Sequence, residues 1–325
     1  MHKTKGWLAG LLALVLTGLA GPLAAQTPAG GAALTIVVSY PPGGLSDYFA
    51  RLVGAKLGES LGTTVLVENK PGANGSIGTA FVSRAKPDGQ TITFLPASTV
   101  TTNQWLMKDM GFDPIKDLSP ITSALVVPNV LVVTPSFPAK DFAELVALAK
   151  AKPGTVNFAS VGVGSSPHLQ GEMLKRMANI DIVHVAYKGA GPALQDLVGG
   201  QVQMMFDNLP SVLPMIQAGK LRALAVTSGK PAPLLPDVPP IARFLPGFEA
   251  TPWFAFVGPA NLPKDIVTKL HEHLVRAVKS DDIVKALQAR GGEIVTSTPE
   301  ELGALMKKES GQMGQLIKEA NISLQ

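Results

Sequence analysis

Cysteine is missing from all 325 residues of the sequence. Its absence excludes disulfide bonds, thiolate metal sites and a lipid-modified amino-terminal cysteine. Charged residues make up only 16% of the chain, and the formal net charge of +4 is not gathered into a basic cluster. Nucleic acids and anionic membranes require a concentrated positive surface, so neither is expected as a partner. With 46% hydrophobic residues, the chain can bury a large core and divide into two domains.

The motifs of common enzyme classes are also missing. Neither Gly-Lys pair is followed by Ser or Thr, the glycines of "PGANGSIG" lack dinucleotide-loop spacing, and no Gly-x-Ser-x-Gly occurs. The His-Glu-His at 271–273 lacks the spacing of a zinc helix. A triad of Ser46 or Ser166 with His168 and an aspartate can be imagined, but nothing in the sequence places these groups together. We therefore predict no enzymatic activity, no metal and no cofactor.

The amino terminus is typical of a secretory signal peptide. Lys3 and Lys5 precede an apolar run from Trp7 to about Leu19, which small residues follow. The run is short for a membrane-spanning helix and ends in Gly-Pro. We expect residues 1–25 to be cleaved near Ala25 and, because there is no lipidated cysteine, the mature protein to be free in a bacterial periplasm.

A repeated pattern of strand, glycine-containing corner and helix starts at Leu34. Such repetition is typical of parallel βαβ units and predicts an α/β fold. Two apolar runs flank Pro128 without a helix between them, and "TPWFAFVGP" is a second strong strand that could cross back. Three helical segments, at 264–278, 281–290 and 299–320, follow it with no further strands.

This order predicts two domains joined by two strand crossings that form a hinge. We expect domain 1 to comprise 27–125 and 252–325, and domain 2 to comprise 126–251. Each domain would be a mainly parallel sheet flanked by helices, with a ligand cleft between them.

Three corners are candidates for ligand binding because ligands of open parallel sheets sit beyond the carboxyl ends of the strands. They are Tyr40–Asp47, Ala159–Gln170 and Tyr187–Leu197. In each, glycines expose backbone N–H groups just before a helix, and we expect Ser46 and Ser166 to cap their helices. Helix amino termini attract anions without any basic side chain. The corners therefore predict a carboxylate site, although glycine and serine before a helix are also ordinary loop chemistry.

Five blocks resemble the Bug-type solute-binding proteins of tripartite tricarboxylate transporters. They are "YPPGGLSDYFARLVGAKLGESLG", "VLVENKPGANGSIGTAFVSRAKPDG", "NFASVGVGSSPHLQGEMLK", "VAYKGAGPALQDLVGGQV" and "AGKLRALAVTS", in order along essentially the whole mature chain. The resemblance implies a two-domain periplasmic binding fold, a type II-like clamshell, that closes on a small carboxylate-bearing molecule and delivers it to a membrane permease. Ser39 and Tyr40 depart from the family's usual Pro-Phe, and Gln90 replaces a common aromatic residue.

The resemblance also implies which residues contact the ligand. Backbone amides and hydroxyls of the first corner of each domain would hold a carboxylate, with weaker contributions from the end of the third strand and from the third corner. The candidate ligand-binding residues are Tyr40, Gly43, Gly44, Ser46, Asp47, Ala97, Ser98, Ser160, Gly162, Ser165, Ser166, His168, Ala190, Gly191 and Asp207.

Asp47 and Asp207 are the candidates that conflict with an anionic ligand. An ionised aspartate would repel a bound carboxylate, so a structural brace or helix cap is the favoured interpretation for each. If either faced the ligand, it would favour an amino group.

The predicted function is capture of a dicarboxylate, tricarboxylate, amino acid or aromatic acid for a tripartite tricarboxylate-type transporter. The alternatives are a sensor that presents its ligand to a membrane sensor kinase and, less favoured, an enzyme acting on a small acid. A monomer suits delivery to a permease.

Overall fold

The computed structural model describes residues 33–319 of the chain. Eleven strands occur in this range: β1 Leu34–Val38, β2 Val65–Asn69, β3 Thr91–Pro96, β4 Leu118–Val126, β5 Asn129–Val133, β6 Asn157–Ser160, β7 Val183–Ala186, β8 Met204–Asn208, β9 Arg222–Val226, β10 Trp253–Pro259 and β11 Glu293–Ile294. Eleven α-helices accompany them in the same range: α1 Leu45–Leu61, α2 Ser76–Ser83, α3 Ala97–Thr101, α4 Asn103–Leu106, α5 Phe142–Ala151, α6 Ser166–Met177, α7 Ala190–Val198, α8 Leu209–Gln217, α9 Lys264–Val278, α10 Asp281–Gln288 and α11 Pro299–Glu319.

The strands form two sheets, and each sheet is the centre of a lobe. Lobe 1 has six strands in the order β11-β4-β10-β3-β1-β2, and lobe 2 has five in the order β7-β6-β8-β5-β9. A hydrophobic cluster covers each face of each sheet. The α/β architecture that the sequence predicts, with helices flanking two sheets, is confirmed.

In strand pairing, the expectation that each sheet is mainly parallel is wrong, because both sheets are mixed in strand direction. In lobe 1, β1 pairs in parallel with β2 and β3, whereas β10 is antiparallel to β3 and β4. In lobe 2, β6 is parallel to β7 and β8, whereas β5 is antiparallel to β8 and β9. The parallel pairs come from the strand-helix repeats, and the antiparallel ones involve the strands next to the lobe crossings.

The chain crosses between the lobes twice. β4 ends at Val126 in lobe 1 and β5 begins at Asn129 in lobe 2, so that Val127 and Pro128 make the first connection. The return runs from β9 to β10, which begins at Trp253. These connections have the form expected of hinge strands, while the exact domain boundaries, at 125/126 and 251/252, remain predictions.

Helix α1 shows why the first corner lies where it does. Phe49, Val53 and Leu57 are spaced four residues apart, and all three are fully buried against the sheet. The Phe49 ring lies 5.2 Å from the ring of Phe94 on β3. Apolar side chains at this spacing form one helical stripe, so their burial fixes the helix and directs its amino terminus to the end of β1.

A further expectation about the strands is wrong, and the signal-peptide prediction falls outside the described residues. The expectation of no strand after β10 is wrong, because Glu293 and Ile294 pair antiparallel with Val126 and Leu125 and extend the edge of the sheet. A two-residue strand carries no periodicity that a sequence could reveal. The predicted signal peptide lies outside the described residues. Within residues 33–319, no helix combines the length and the apolar character that crossing a membrane requires.

Candidate functional site

A cavity lies between the two lobes, where the carboxyl ends of strands from both sheets meet. It encloses about 560 Å³ of non-atom space, including the solvent at its mouth. It is lined by Tyr40, Pro41, Gly44, Leu45, Ser46, Pro96, Ser98, Val161, Ser165, Ser166, Pro167, Ala190, Asp207, Asn208, Ser211, Pro252 and Phe254.

Four helices of lobes 1 and 2 point their amino termini at this cavity. The lining includes the first residues of α1, α6 and α7, and Asn208, which directly precedes α8. The first N–H groups of a helix have no acceptor within the helix, and its amino terminus carries about half a positive charge. The N–H of Gly44 accordingly makes no hydrogen bond within residues 33–319. The geometry suits an anion.

Basic side chains contribute nothing to this positive character. No lysine, arginine or histidine belongs to the lining, all of which lies in the described part of the chain, and Asp207 is its only carboxyl group. No cluster of three or more potential metal ligands occurs among residues 33–319. Any ligand charge is therefore met by backbone dipoles and hydroxyl groups.

The expected capping role of two serines is wrong. Gly44 and Ser165 occupy the positions before α1 and α6, with extended backbone angles, and neither makes a side-chain capping bond. Ser46 is the second residue of α1, and Ser166 is the first of α6. Both helices start one or two residues earlier than expected, so the serine hydroxyls lie in the first turn, at the cavity wall.

Asp47 braces the first corner. Its Oδ2 accepts from the Gly43 N–H at 3.1 Å, and its Oδ1 accepts from Asn69 Nδ2 and Arg51 Nε, both at 3.0 Å. Burial would raise the pKa of this carboxyl, but the hydrogen bonds from Arg51, Asn69 and Gly43 outweigh it and lower the pKa below its usual value. Asp47 does not line the cavity. Its hydrogen bonds hold the first corner in place.

Tyr40 belongs to a polar network at the lobe 1 wall. Its hydroxyl group donates to Asn74 Oδ1 at 2.8 Å and lies 3.3 Å from Thr99 Oγ1. The Asn74 side chain in turn donates to Asn103 Oδ1 at 2.7 Å. Burial raises the pKa of Tyr40 to about 12, although hydrogen bonds to Thr99 and Ser98 oppose it. The phenol is neutral at physiological pH, and its position is fixed.

A histidine pair lies behind the second corner. The rings of His168 and His184 stack with centroids 4.0 Å apart, and Ser160 Oγ lies 2.7 Å from His184 Nε2. His168 Nδ1 accepts the Gly164 N–H at 3.1 Å. Burial lowers the pKa of His168 to about 3, helped by His184, and that of His184 to about 4. Both rings are neutral, and they support the loop from outside the cavity.

Asp207 is placed differently from Asp47. It is fully buried on β8 and lines the cavity. Its Oδ1 accepts the Asn208 N–H at 2.8 Å and Asn208 Nδ2 at 3.2 Å, whereas Oδ2 accepts no hydrogen bond from residues 33–319. Burial raises the pKa of Asp207 to about 7 against the effect of both bonds.

The predicted site residues fall into two groups. Those at the cavity wall are Tyr40, Gly44, Ser46, Ser98, Ser165, Ser166, Ala190 and Asp207. Those placed behind or beside it are Gly43, Asp47, Ala97, Ser160, Gly162, His168 and Gly191. Sequence reasoning did not single out Pro41, Leu45, Pro96, Val161, Pro167, Asn208, Ser211, Pro252 or Phe254, which also line the cavity. Most of these are apolar and indistinguishable from core residues in a sequence. Asn208, directly after Asp207, and Ser211 in the following helix were the available polar signal.

The lobes touch at glycines on the rim of the cavity. A Cβ atom at Gly189, whose φ is +122°, would lie 2.8 Å from Pro41 Cγ of lobe 1. A Cβ atom at Gly164, with φ +82°, would lie 3.1 Å from Leu106 Cδ1. Lobe 2 therefore approaches lobe 1 closely where only glycine fits.

A second cavity adjoins the first and shares Pro96, Ser98, Ser166 and Pro252 with it. It encloses about 1010 Å³, including solvent, and reaches apolar side chains of α6 and α11. Glu309 lies on its wall and accepts a 2.7 Å hydrogen bond from Trp253 Nε1. The cleft between the lobes therefore extends beyond the first cavity, toward α6 and α11.

Known proteins share this architecture. The model of the tripartite tricarboxylate transporter family receptor matches residues 49–322. The chain belongs to this receptor family. Protein BugT of Bordetella pertussis is 34% identical over 314 residues, which are 96% of each chain. The structure of the periplasmic binding protein BugD is 34% identical with a TM-score of 0.86, and the match covers 90% of this chain and 99% of that one.

A third relative of this Bug-type receptor family was solved with a ligand. The R. palustris protein in complex with adipate is 33% identical with a TM-score of 0.87, and the match covers 92% of this chain and 99% of the relative. The resemblance that the five sequence blocks indicate is thus confirmed, as is the periplasmic binding fold.

Proposed function

We propose that this receptor captures a small molecule bearing a carboxylate in the cleft between its lobes and presents it to a tripartite tricarboxylate-type permease. The observation that carries the proposal is the convergence of four helix amino termini on a cavity whose described wall has no basic side chain. Such a wall stabilises an anion through oriented N–H groups. The relative solved with adipate supports a carboxylate ligand.

The first test identifies the ligand class. Native mass spectrometry of the purified mature protein would reveal a co-purified acid, and thermal-shift screening after ligand removal would compare carboxylates with neutral and cationic solutes. A ligand that binds only the folded state raises its melting temperature. We expect carboxylates alone to do so; stabilisation by neutral or cationic solutes instead would contradict the proposed anion site.

The second test removes one donor. Gly44→Pro deletes the free N–H at the start of α1, where φ is −86°, about 20° from the value that proline prefers. Lys264→Pro is the matched control, because it places proline at the first residue of α9, which contributes nothing to the cavity. We expect only Gly44→Pro to abolish carboxylate binding while both variants stay folded. Equal binding by the two variants would contradict backbone capture.

A third test separates transport from sensing. In a host that grows on the identified acid, deletion of the permease should abolish growth as completely as deletion of the receptor. Growth that persists without the permease, together with loss of ligand-induced gene expression in the receptor deletion, would assign the protein to a sensor kinase instead.

A further inference from the structure

Asp207 combines complete burial with an unsatisfied oxygen at a cavity wall. Both hydrogen bonds that Asn208 donates go to Oδ1, and Oδ2 has no partner among residues 33–319. A buried polar atom without a partner destabilises a protein, and native structures contain few of them. Oδ2 itself is buried, and Asn129 Oδ1 on the paired strand β5 is the other buried side-chain oxygen without a partner in the described residues. Since Asp207 lines the ligand cavity, a ligand group is the partner that the cavity can supply to Oδ2.

Among charged ligand groups, two kinds could satisfy this oxygen. An ammonium would donate to an ionised carboxylate, whereas a ligand carboxylate would accept a hydrogen bond from Oδ2 if Asp207 were protonated. The remaining residues of the cavity wall decide between an ammonium and a carboxylate. The positive ends of α1, α6, α7 and α8 all face the same space, which favours an anion and disfavours an ammonium.

The charged groups around Asp207 do not keep it ionised. Among the described residues of the cavity wall, the only other titratable side chain is the neutral phenol of Tyr40. The neighbouring strands β5 and β6 and the helix α8 carry no titratable residue. On α7, Asp196 accepts a hydrogen bond from the Tyr187 hydroxyl.

Helix α6 supplies the remaining titratable groups that pack near β8. They are His168, which is neutral, and Glu172, whose pKa burial raises, followed by Lys175 and Arg176 in the last turn, remote from the cavity end of the helix. No cation therefore faces Asp207 within residues 33–319. An ionised Asp207 beside a bound carboxylate would be a buried pair of like charges, which is strongly unfavourable.

We propose that Asp207 takes part in ligand capture as the neutral acid, donating Oδ2–H to an oxygen of the ligand carboxylate, so that binding of the anion takes up one proton from solvent. This assignment rests on the proposed function of carboxylate capture. It makes Asp207 a specificity-determining residue: one protonated carboxyl and several helix termini replace the arginine that anion sites commonly use. The elevated pKa of about 7 fits this role, because the proton is held at little cost near neutral pH.

Calorimetric titration provides the test. Malate, adipate and glutamate would be titrated into the ligand-free wild type, Asp207→Asn and Asp196→Asn between pH 5.5 and 9, in two buffers with different ionisation enthalpies to count protons. For the wild type we expect constant affinity for the dicarboxylates below about pH 6, a loss of roughly tenfold per pH unit above 7, and uptake of nearly one proton at pH 8.

Asp207→Asn is the informative variant because its amide resembles the neutral acid and keeps a donor. We expect it to retain the acidic-pH affinity within a few-fold, to lose the pH dependence and to bind dicarboxylates roughly tenfold more tightly than the wild type at pH 8. Asp196→Asn, off the cavity, should follow the wild-type profile.

Three results would overturn the assignment. The first is dicarboxylate binding by the wild type with a flat pH profile and no proton uptake, which leaves the proposed function intact. The second is binding of glutamate that Asp207→Asn abolishes, which would show pairing with an ammonium. The third is failure of every carboxylate at every pH; the proposed function then fails, and the assignment with it.

Discussion

Two buried aspartates on opposite sides of the cleft have opposite environments. Asp47 of lobe 1 accepts hydrogen bonds on both oxygens, from a backbone N–H, an asparagine and an arginine. Asp207 of lobe 2 accepts two bonds on one oxygen and none on the other from the described residues. The pKa of Asp47 is lowered, and that of Asp207 is raised to about 7.

The difference shows that burial alone does not set the charge of a carboxyl group. Desolvation raises the pKa of both aspartates, and the number and charge of the hydrogen-bond donors decide whether this effect is reversed. Lobe 1 uses its aspartate to hold the corner that contributes Gly44 to the cavity wall. Lobe 2 keeps part of the hydrogen-bonding capacity of its aspartate for the cavity.

The largest expected effect is on the stability of Asp207→Asn. The folded-state pKa of about 7 exceeds the usual 3.8, so the folded protein binds more protons than the unfolded chain between these values. Wild-type stability therefore falls as pH rises from about 4 to 7 and does not recover above 7. Asparagine removes this loss, and the variant should be more stable than the wild type at pH 8.5, by at most about 4 kcal/mol.

Urea unfolding of the ligand-free proteins at pH 4 and pH 8.5 measures this change. The two proteins should differ little at pH 4, where the Asp207 carboxyl is protonated in the folded state. A variant that is less stable than the wild type at pH 8.5 would show that Asp207 is ionised and satisfied, which removes the contrast with Asp47.

Asp47→Ala should act in the opposite direction. It leaves the Gly43 N–H, Asn69 and Arg51 without their shared acceptor, and we expect a loss of about 2 kcal/mol in the free energy of unfolding near pH 7. Since the Asp47 pKa is lowered, this advantage is present above about pH 4 and disappears as pH falls through the folded-state value.

The control for that variant is Asp282→Ala. Asp282 pairs with Lys56 on the surface, at 3.0 Å, and its loss should change stability little. Carboxylate affinity should fall in Asp47→Ala only, because the corner around Gly44 loses its brace. Unchanged affinity would mean that the corner is held without Asp47.

The architecture could largely be predicted from local patterns. The stripe of Phe49, Val53 and Leu57 has helical spacing, and the two runs around Pro128 leave no room for a helix. Patterns of this kind depend on neighbours within a few residues. The two-residue β11 and the antiparallel pairing of β10 depend on strands far apart in the sequence, and no local pattern specifies them.

The site was less predictable for the same reason. Whether an aspartate is a brace or a ligand group depends on its donors, and Asn69, which is 22 residues from Asp47, gives no sign of this contact in the sequence. The cavity wall also collects apolar residues such as Val161 and Phe254 from both lobes. Their positions become clear only when both sheets are in place.

A smaller effect is expected where the two sides of the cleft touch. Gly189→Ala places a Cβ atom 2.8 Å from Pro41 and an alanine at φ +122° and ψ 176°, whereas Gly200→Ala, at φ +76°, meets nothing within 4 Å. Both variants carry backbone strain, and the strain is larger at Gly189, whose backbone angles are essentially restricted to glycine. We expect only Gly189→Ala to weaken carboxylate binding, by roughly tenfold, because the added methyl group prevents the close contact of lobe 2 with Pro41 in the first corner of lobe 1. Equal carboxylate affinities of the two variants, measured by calorimetry, would mean that the contact between Gly189 and Pro41 is dispensable for binding.

The smallest effect tests whether the Asp47 brace depends on charge. Arg51 is about half exposed, and its 2.9 Å ion pair with Asp47 is screened by solvent. Arg51→Ala leaves the bonds from Asn69 and Gly43 in place, so we expect a loss below about 1 kcal/mol in urea unfolding, shrinking further in 1 M salt. A loss as large as that of Asp47→Ala would make the cation the decisive partner. The two aspartates would then differ by the presence of one arginine, and an arginine introduced beside Asp207 should lower the pKa of its carboxyl group as Arg51 lowers that of Asp47.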